Sequence, residues 1–122
     1  MGFLSDSLLD LAVAYIDDES TVLHINFTQE PATYAEASST YSCGSRTPPV
    51  IGVPEDGDVS GRKVVIAAIT DGTVSDTQTA GWWSLVSADE LIAAGDLAAT
   101  QAVTSGNTFT LTEFDIEIPD PA

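Results

Sequence analysis

In residues 21–27 and again in residues 114–118 the apolar side chains of this chain recur at every second position, and that spacing constrains the fold more than any other feature. A strand sends successive side chains to opposite faces, so period two marks a sheet with one buried side. Residues 21–27 place Leu23, Ile25 and Phe27 on one face and Val22, His24 and Asn26 on the other. Residues 114–118 alternate strictly, with Phe114, Ile116 and Ile118 inward and Asp115 and Glu117 outward. Residues 62–69 are nearly continuous in apolar side chains, which predicts a strand covered on both faces. Asp71-Gly72 predicts a hairpin turn, because Asp-Gly supplies the positive φ of a tight connection, and residues 73–79 then form the returning strand. Residues 82–87 predict another strand. Residues 91–94 and 97–99 flank Gly95 and predict a short strand pair or one bulged strand. Helix is the competing reading there, since alanine is a poor strand former. Ser105-Gly106-Asn107 is a turn into the strand at 108–111.

Two stretches depart from period two. Leu4, Leu8, Leu11 and Tyr15 fall at i, i+4, i+7 and i+11, and Leu9, Ala12, Val13 and Ile16 widen that stripe. This predicts an amphipathic helix over 5–17, capped by Ser5 or Ser7, with the stripe toward the core. Residues 34–54 are rich in Ser, Thr and Pro and contain Thr47-Pro48-Pro49. They predict an extended arm with a short edge strand near 50–53, ordered on a partner. The expected architecture is mainly β (α+β): an antiparallel β-sandwich or small barrel with one N-terminal helix. It forms a single domain over 1–122, with the helix at 5–17, the arm at 34–54 and the main β region at 60–119.

Charge narrows the function. The chain carries 19 acidic residues against Arg46, Arg62 and Lys63, a formal charge of −16. Such a surface repels phosphate, so neither nucleic acid nor anionic membrane is an expected partner. Cys43 is the one cysteine and His24 the one histidine, which removes a disulfide, a Cys-based zinc site and a multi-His metal site. Asp17-Asp18-Glu19 reads as a solvated acidic corner and Glu55-Asp56-Gly57-Asp58 as a plain turn, so no metal and no cofactor are expected. His24 reads as a partly buried strand histidine with a hydrogen-bond partner, and Cys43 as a structural thiol. With no recognisable nucleophile–base pair, the expectation is a binding protein and not an enzyme. Trp82 and Trp83, adjacent on a strand, must face opposite sides, one in the core and one on a second surface. Candidate partner-interface residues are Trp82 and Trp83 together with Tyr34, Tyr41, Pro48 and Pro49 of the arm. The N-terminus lacks the basic segment of a signal peptide, so synthesis in the cytoplasm is expected.

An ordered series of segments carries a resemblance. Ser60-Gly61-Arg62-Lys63-Val64-Val65 is followed by Ile69-Thr70-Asp71-Gly72-Thr73-Val74, Trp83-Ser84-Leu85-Val86 and Leu91-Ile92-Ala93-Ala94-Gly95-Asp96-Leu97. Gln101-Ala102-Val103-Thr104-Ser105-Gly106-Asn107 and Phe114-Asp115-Ile116-Glu117-Ile118 close it, and Ala14-Tyr15-Ile16 and Gln29-Glu30-Pro31-Ala32-Thr33-Tyr34 match as well. The series resembles small virion structural proteins of tailed bacteriophages and prophages. Those commonly carry more basic residues after the helix, where this chain has Asp17-Asp18-Glu19-Ser20. The resemblance implies a head decoration (cement) protein that binds between capsomers, present in many copies or as a homo-oligomer. Its expected partner is the major capsid protein or another virion subunit, and its place the virion, after synthesis in the host bacterium. A neck, tail or fibre-base component is the alternative within the class. An acidic DNA-mimic inhibitor of a host nuclease is the alternative outside it, although its carboxylates here are scattered among turns instead of aligned in phosphate-like rows.

Overall fold

The computed structural model describes residues 5–58 and 60–118. Leu4 of the expected helix stripe, and Pro119 and Pro121 at the expected end of the last strand, lie outside these residues. Helix α1 (Asp6–Glu19) is followed by β1 (Val22–Asn26), a π-helical turn (Glu36–Thr40), β2 (Ser42–Arg46), β3 (Glu55–Asp56) and β4 (Arg62–Ile66). Then come β5 (Ile69–Val74), β6 (Gln78–Val86), β7 (Leu91–Val103), β8 (Thr108–Leu111) and β9 (Phe114–Ile118). The fold is mainly β with an N-terminal helix. A six-stranded antiparallel sheet, in the order β7-β6-β1-β2-β5-β8, curls into a half-barrel, and a three-stranded sheet β3-β4-β9 stands beside it. Leu23 and Ile25 of β1, Leu85 of β6, Val74 of β5 and Phe109 of β8 share one buried cluster with Val64 and Ile66 of β4. Burying a side chain of this size contributes roughly 1.5–3 kcal/mol.

Helix α1 begins where Ser5 accepts a hydrogen bond from the Leu8 amide at 3.2 Å, and ends where the Ser20 N–H meets the Ile16 carbonyl. Only part of the expected broad apolar face turns inward. Leu9, Val13 and Ile16 are buried, whereas Leu8, Leu11 and Tyr15 of the expected core stripe are exposed, Leu11 by 73%. Both stripes are apolar, so hydrophobicity alone does not choose between them. Polar anchors do: Asp10 pairs with Arg62 of β4 at 2.6 Å, and the Tyr15 hydroxyl donates to Glu90 at 2.7 Å.

Residues 34–54 are not an arm. β2, made of Ser-Cys-Gly-Ser-Arg, lies in the middle of the large sheet between β1 and β5. Gly44 is required there, because a Cβ would stand 2.8 Å from the Thr73 carbonyl oxygen. The π-helical turn, closed by the Tyr41 N–H on the Glu36 carbonyl, folds over the outer face of β1. That face reads polar and turns out to be buried. Asn26 is fully enclosed; it accepts from Ser84 Oγ at 2.7 Å and donates to the Ala37 and Tyr41 carbonyls at 2.9 and 3.3 Å. The edge strand expected near 50–53 shrinks to a single bridge, Ile51 to Ile66.

Asp71-Gly72 is not a hairpin turn either. The expected strand over 62–69 breaks into β4 and β5, and Asp71-Gly72 lies inside β5 at a register shift against β8. Glycine is needed there for closeness: a Cβ at Gly72 would stand 2.2 Å from Phe109 Cε1. Residues 91–103 form one long bulged strand and no helix. β7 sets residues 97–100 against Gly81 alone, since Ala80 pairs with Gln101 and Trp82 with Asp96.

Candidate functional site

The six expected interface residues do not form one surface. Asn26 at the end of β1 pairs with Ser42 on one side and Trp82 on the other, so Tyr41 and Trp82 lie at the same end of the sheet, where Phe27 meets Tyr41 edge to face. Tyr34 precedes the π-helical turn at that end and is 36% exposed. Pro48 and Pro49 follow Arg46, which pairs with Leu23 at the opposite end; Pro48 is exposed and Pro49 buried. The tryptophans divide as their adjacency requires. Trp83 is a core residue, and Trp82 is half-buried in a groove of about 480 Å³ shared with Thr28, Thr79, Gly81 and the β7 bulge. Thr28 holds a φ of 73° in that groove, a strained conformation for a β-branched residue.

The site that sequence reasoning missed is the open seam of the half-barrel. β7 and β8 are the two ends of the sheet and do not pair. One side chain crosses between them, Gln101, whose Nε2 donates to the Thr110 carbonyl at 2.8 Å. Beside that bridge lies a pocket of about 360 Å³. Trp83 is its buried lining, with half-buried Leu97, Leu111 and Phe114, while Asp96 and Glu113 are exposed at it. The Trp83 and Phe114 rings stack at a tilt, with centroids 4.6 Å apart. Gly95 makes room for the indole, since a Cβ there would sit 2.8 Å from Trp83 Cζ2. No sequence signal marks this pocket, because it is built by strands that are neighbours only once the sheet has curled.

All three cations are engaged away from the seam. Arg46 pairs with Asp71 at 3.2 Å. Arg62 pairs with Asp10 and Asp56, both at 2.6 Å. Lys63 reaches Asp58 at 2.7 Å, Asp115 at 3.0 Å and Glu55 at 3.9 Å. The Asp58 and Asp115 contacts raise the Lys63 pKa, and Lys63 lowers that of Asp58. Glu55-Asp56, expected in a plain turn, is strand β3 paired with β4, and the carboxylates of Glu55, Asp56 and Asp58 face the β4 cations. Among the described residues no group of three or more His, Cys, Asp or Glu side chains is placed to hold a metal ion.

His24 has the partner expected of it, with Nδ1 2.8 Å from Ser42 Oγ. Burial lowers its pKa from 6.5, so the imidazole is neutral at neutral pH. Cys43 is fully buried in β2 beside β1, with Sγ 3.5 Å from the Ile25 carbonyl, and burial pushes its thiol up to about 11. A protonated, enclosed thiol is a poor nucleophile. No helix among the described residues is long and apolar enough to cross a membrane. No family model, no curated protein and no solved structure matches this chain.

Proposed function

We propose that this chain is a structural protein of a bacteriophage virion, a head decoration protein that stabilises the shell by binding between capsomers. One observation carries the reading beyond the sequence resemblance. Among the described residues Arg46, Arg62 and Lys63 are each committed to a carboxylate of the same chain, so the outer surface offers acidic, neutral polar and apolar groups and no uncommitted cation. Its apolar part includes Leu8, Leu11 and Tyr15 on α1 and the half-buried Trp82. Such a surface is repelled by packaged DNA and docks on protein, with exposed apolar side chains as anchors. Many copies acting on one particle stabilise it even at modest individual affinity.

Mass spectrometry of purified virions, with copy number, tests this directly: the expected result is many copies on the head. Particles stripped of the protein should rupture at lower temperature, and Leu11→Ser or Trp82→Ala should weaken reattachment. Full heat stability of stripped particles, or location at the tail alone, would replace the decoration role with a neck or tail one. Absence from virions, with salt-sensitive binding to a basic nuclease, would support the DNA-mimic alternative.

A further inference from the structure

We propose that the seam pocket between β7 and β8 receives an arginine side chain carried by an extended segment of a partner protein. The lining selects the side chain. Trp83 and Phe114 offer aromatic surface at the buried end, and Asp96 and Glu113 stand exposed beside it. A guanidinium is the group that satisfies both, because its flat face stacks on aromatic rings while its edge donates paired hydrogen bonds to carboxylates. An anionic or purely apolar occupant leaves the carboxylates repelled or unpaired. The chain cannot fill the role itself, since Arg46, Arg62 and Lys63 are each tied to other carboxylates.

The edges select the segment. β7 ends the sheet, so its outer row of backbone groups has no neighbouring strand. Its 13 residues include one charge, Asp96, and no Lys or Pro. Natural edge strands are normally shielded by such residues, and an unshielded edge is a template for an added strand. A segment laid along β7 passes Ala98 and Ala99 in the bulge, whose small side chains leave the approach to the pocket open. This inference does not depend on the virion reading, because the pocket chemistry is the same whatever protein supplies the arginine.

The test titrates the full 15N-labelled chain at low ionic strength with acetyl-Val-Arg-Val-amide and with the same peptide carrying citrulline, which keeps the shape and removes the charge. Amide shifts should be confined to residues 95–101 and 110–114. The citrulline peptide should bind at least about fivefold more weakly, as the loss of a charged stacking partner predicts. Asp96→Asn combined with Glu113→Gln should abolish the difference between the peptides while the rest of the spectrum stays unchanged. Equal binding of both peptides by the native chain, or shifts spread over the acidic surface around residues 17–19, would overturn the proposal. Binding of indole at the seam with no response to the arginine peptide would also overturn it, in favour of a small apolar ligand.

Discussion

Two regions of this molecule, the β4 corner and the seam, are held together in opposite ways. At the β4 corner, Arg62 and Lys63 gather Asp10, Asp56, Asp58 and Asp115, tying α1, β3 and β9 to one strand. At the seam, one amide side chain spans the gap, and Asp96 and Glu113 stand with no cation beside them. A chain with 3 basic residues among 122 cannot neutralise both regions, and it places two of the three at the corner. The corner adds these pairs to the buried cluster that Val13 and Ile16 of α1 share with Val64 and Ile66 of β4, and to the β4–β9 ladder, whereas β7 is held on one side by its long ladder with β6. The cations therefore reinforce the joint between the helix and the small sheet, and among the described residues the seam carboxylates keep no cation of this chain.

The corner is the place to break this contrast most severely. Arg62→Met should lower the melting temperature more than any substitution of a seam carboxylate. Hydrogen exchange should show α1 losing protection first while β1 and β6 keep theirs, because Asp10 is the link that sets the helix. If α1 keeps its protection, the corner does not hold it.

Next in size is Gly95→Ala. The added methyl stands 2.8 Å from Trp83 Cζ2, so the indole must shift. Overpacking of this kind costs about 1–3 kcal/mol, read by chemical denaturation together with a change in tryptophan emission. An unchanged emission spectrum would mean that the pocket tolerates what its geometry forbids.

Acidity separates other parts of the molecule. His24 has a pKa below 6.5 when folded and returns to about 6.5 when unfolded, so below that pH the unfolded chain binds the additional proton and stability falls. Cys43 runs the other way. Its folded pKa of about 11 lies above the ordinary thiol value of 9.0, so stability falls as pH rises past the unfolded value. Lys63, raised by Asp58 and Asp115, adds to that alkaline loss at the corner. Thermal melts across pH should therefore show a plateau between about pH 7 and 9. His24→Gln should flatten the acid limb, and Lys63→Met the alkaline one.

The smallest effect is expected at the seam carboxylates. Asp96→Asn and Glu113→Gln should leave the melting temperature within about 3 °C of the parent, or raise it slightly, since neither has a cation partner to lose. Added salt should raise the melting temperature of the parent chain, because it screens the self-repulsion of a charge of −16.

What the sequence revealed, and what it hid, follows the same division. Leu23 and Ile25 of β1 and the strand at 114–118 were legible because alternation is a local signal and each buries the face it appears to bury or half-bury. β2 was not, because Ser, Gly and Arg carry no strand preference and its place is fixed by neighbours on both sides. The Asp71-Gly72 pair misled because glycine serves two needs, positive φ and close approach, and sequence does not tell them apart. The α1 stripe was half informative because the helix is apolar on two sides, and two polar anchors, Asp10 meeting Arg62 and Tyr15 meeting Glu90, mark which side turns inward. The outer face of β1 is polar in sequence yet buried, because the π-helical turn returns to cover it. Trp82 and Tyr41 were singled out by residue type, and the sheet brings them to one end. The seam depends on which strands end up at the margins of the sheet, and no short-range pattern encodes that.

The enclosed thiol of Cys43 gives the molecule a built-in clock. It sits in a central strand with no exposed surface, so a thiol reagent reaches it only when β2 leaves its neighbours. Where closing is fast, the rate of labelling reports the population of that opened state and therefore the free energy of parting the middle of the sheet. The same enclosure keeps folded copies from joining through disulfides in air, however densely they are packed together. A disulfide-linked pair is thus a record that both chains had opened.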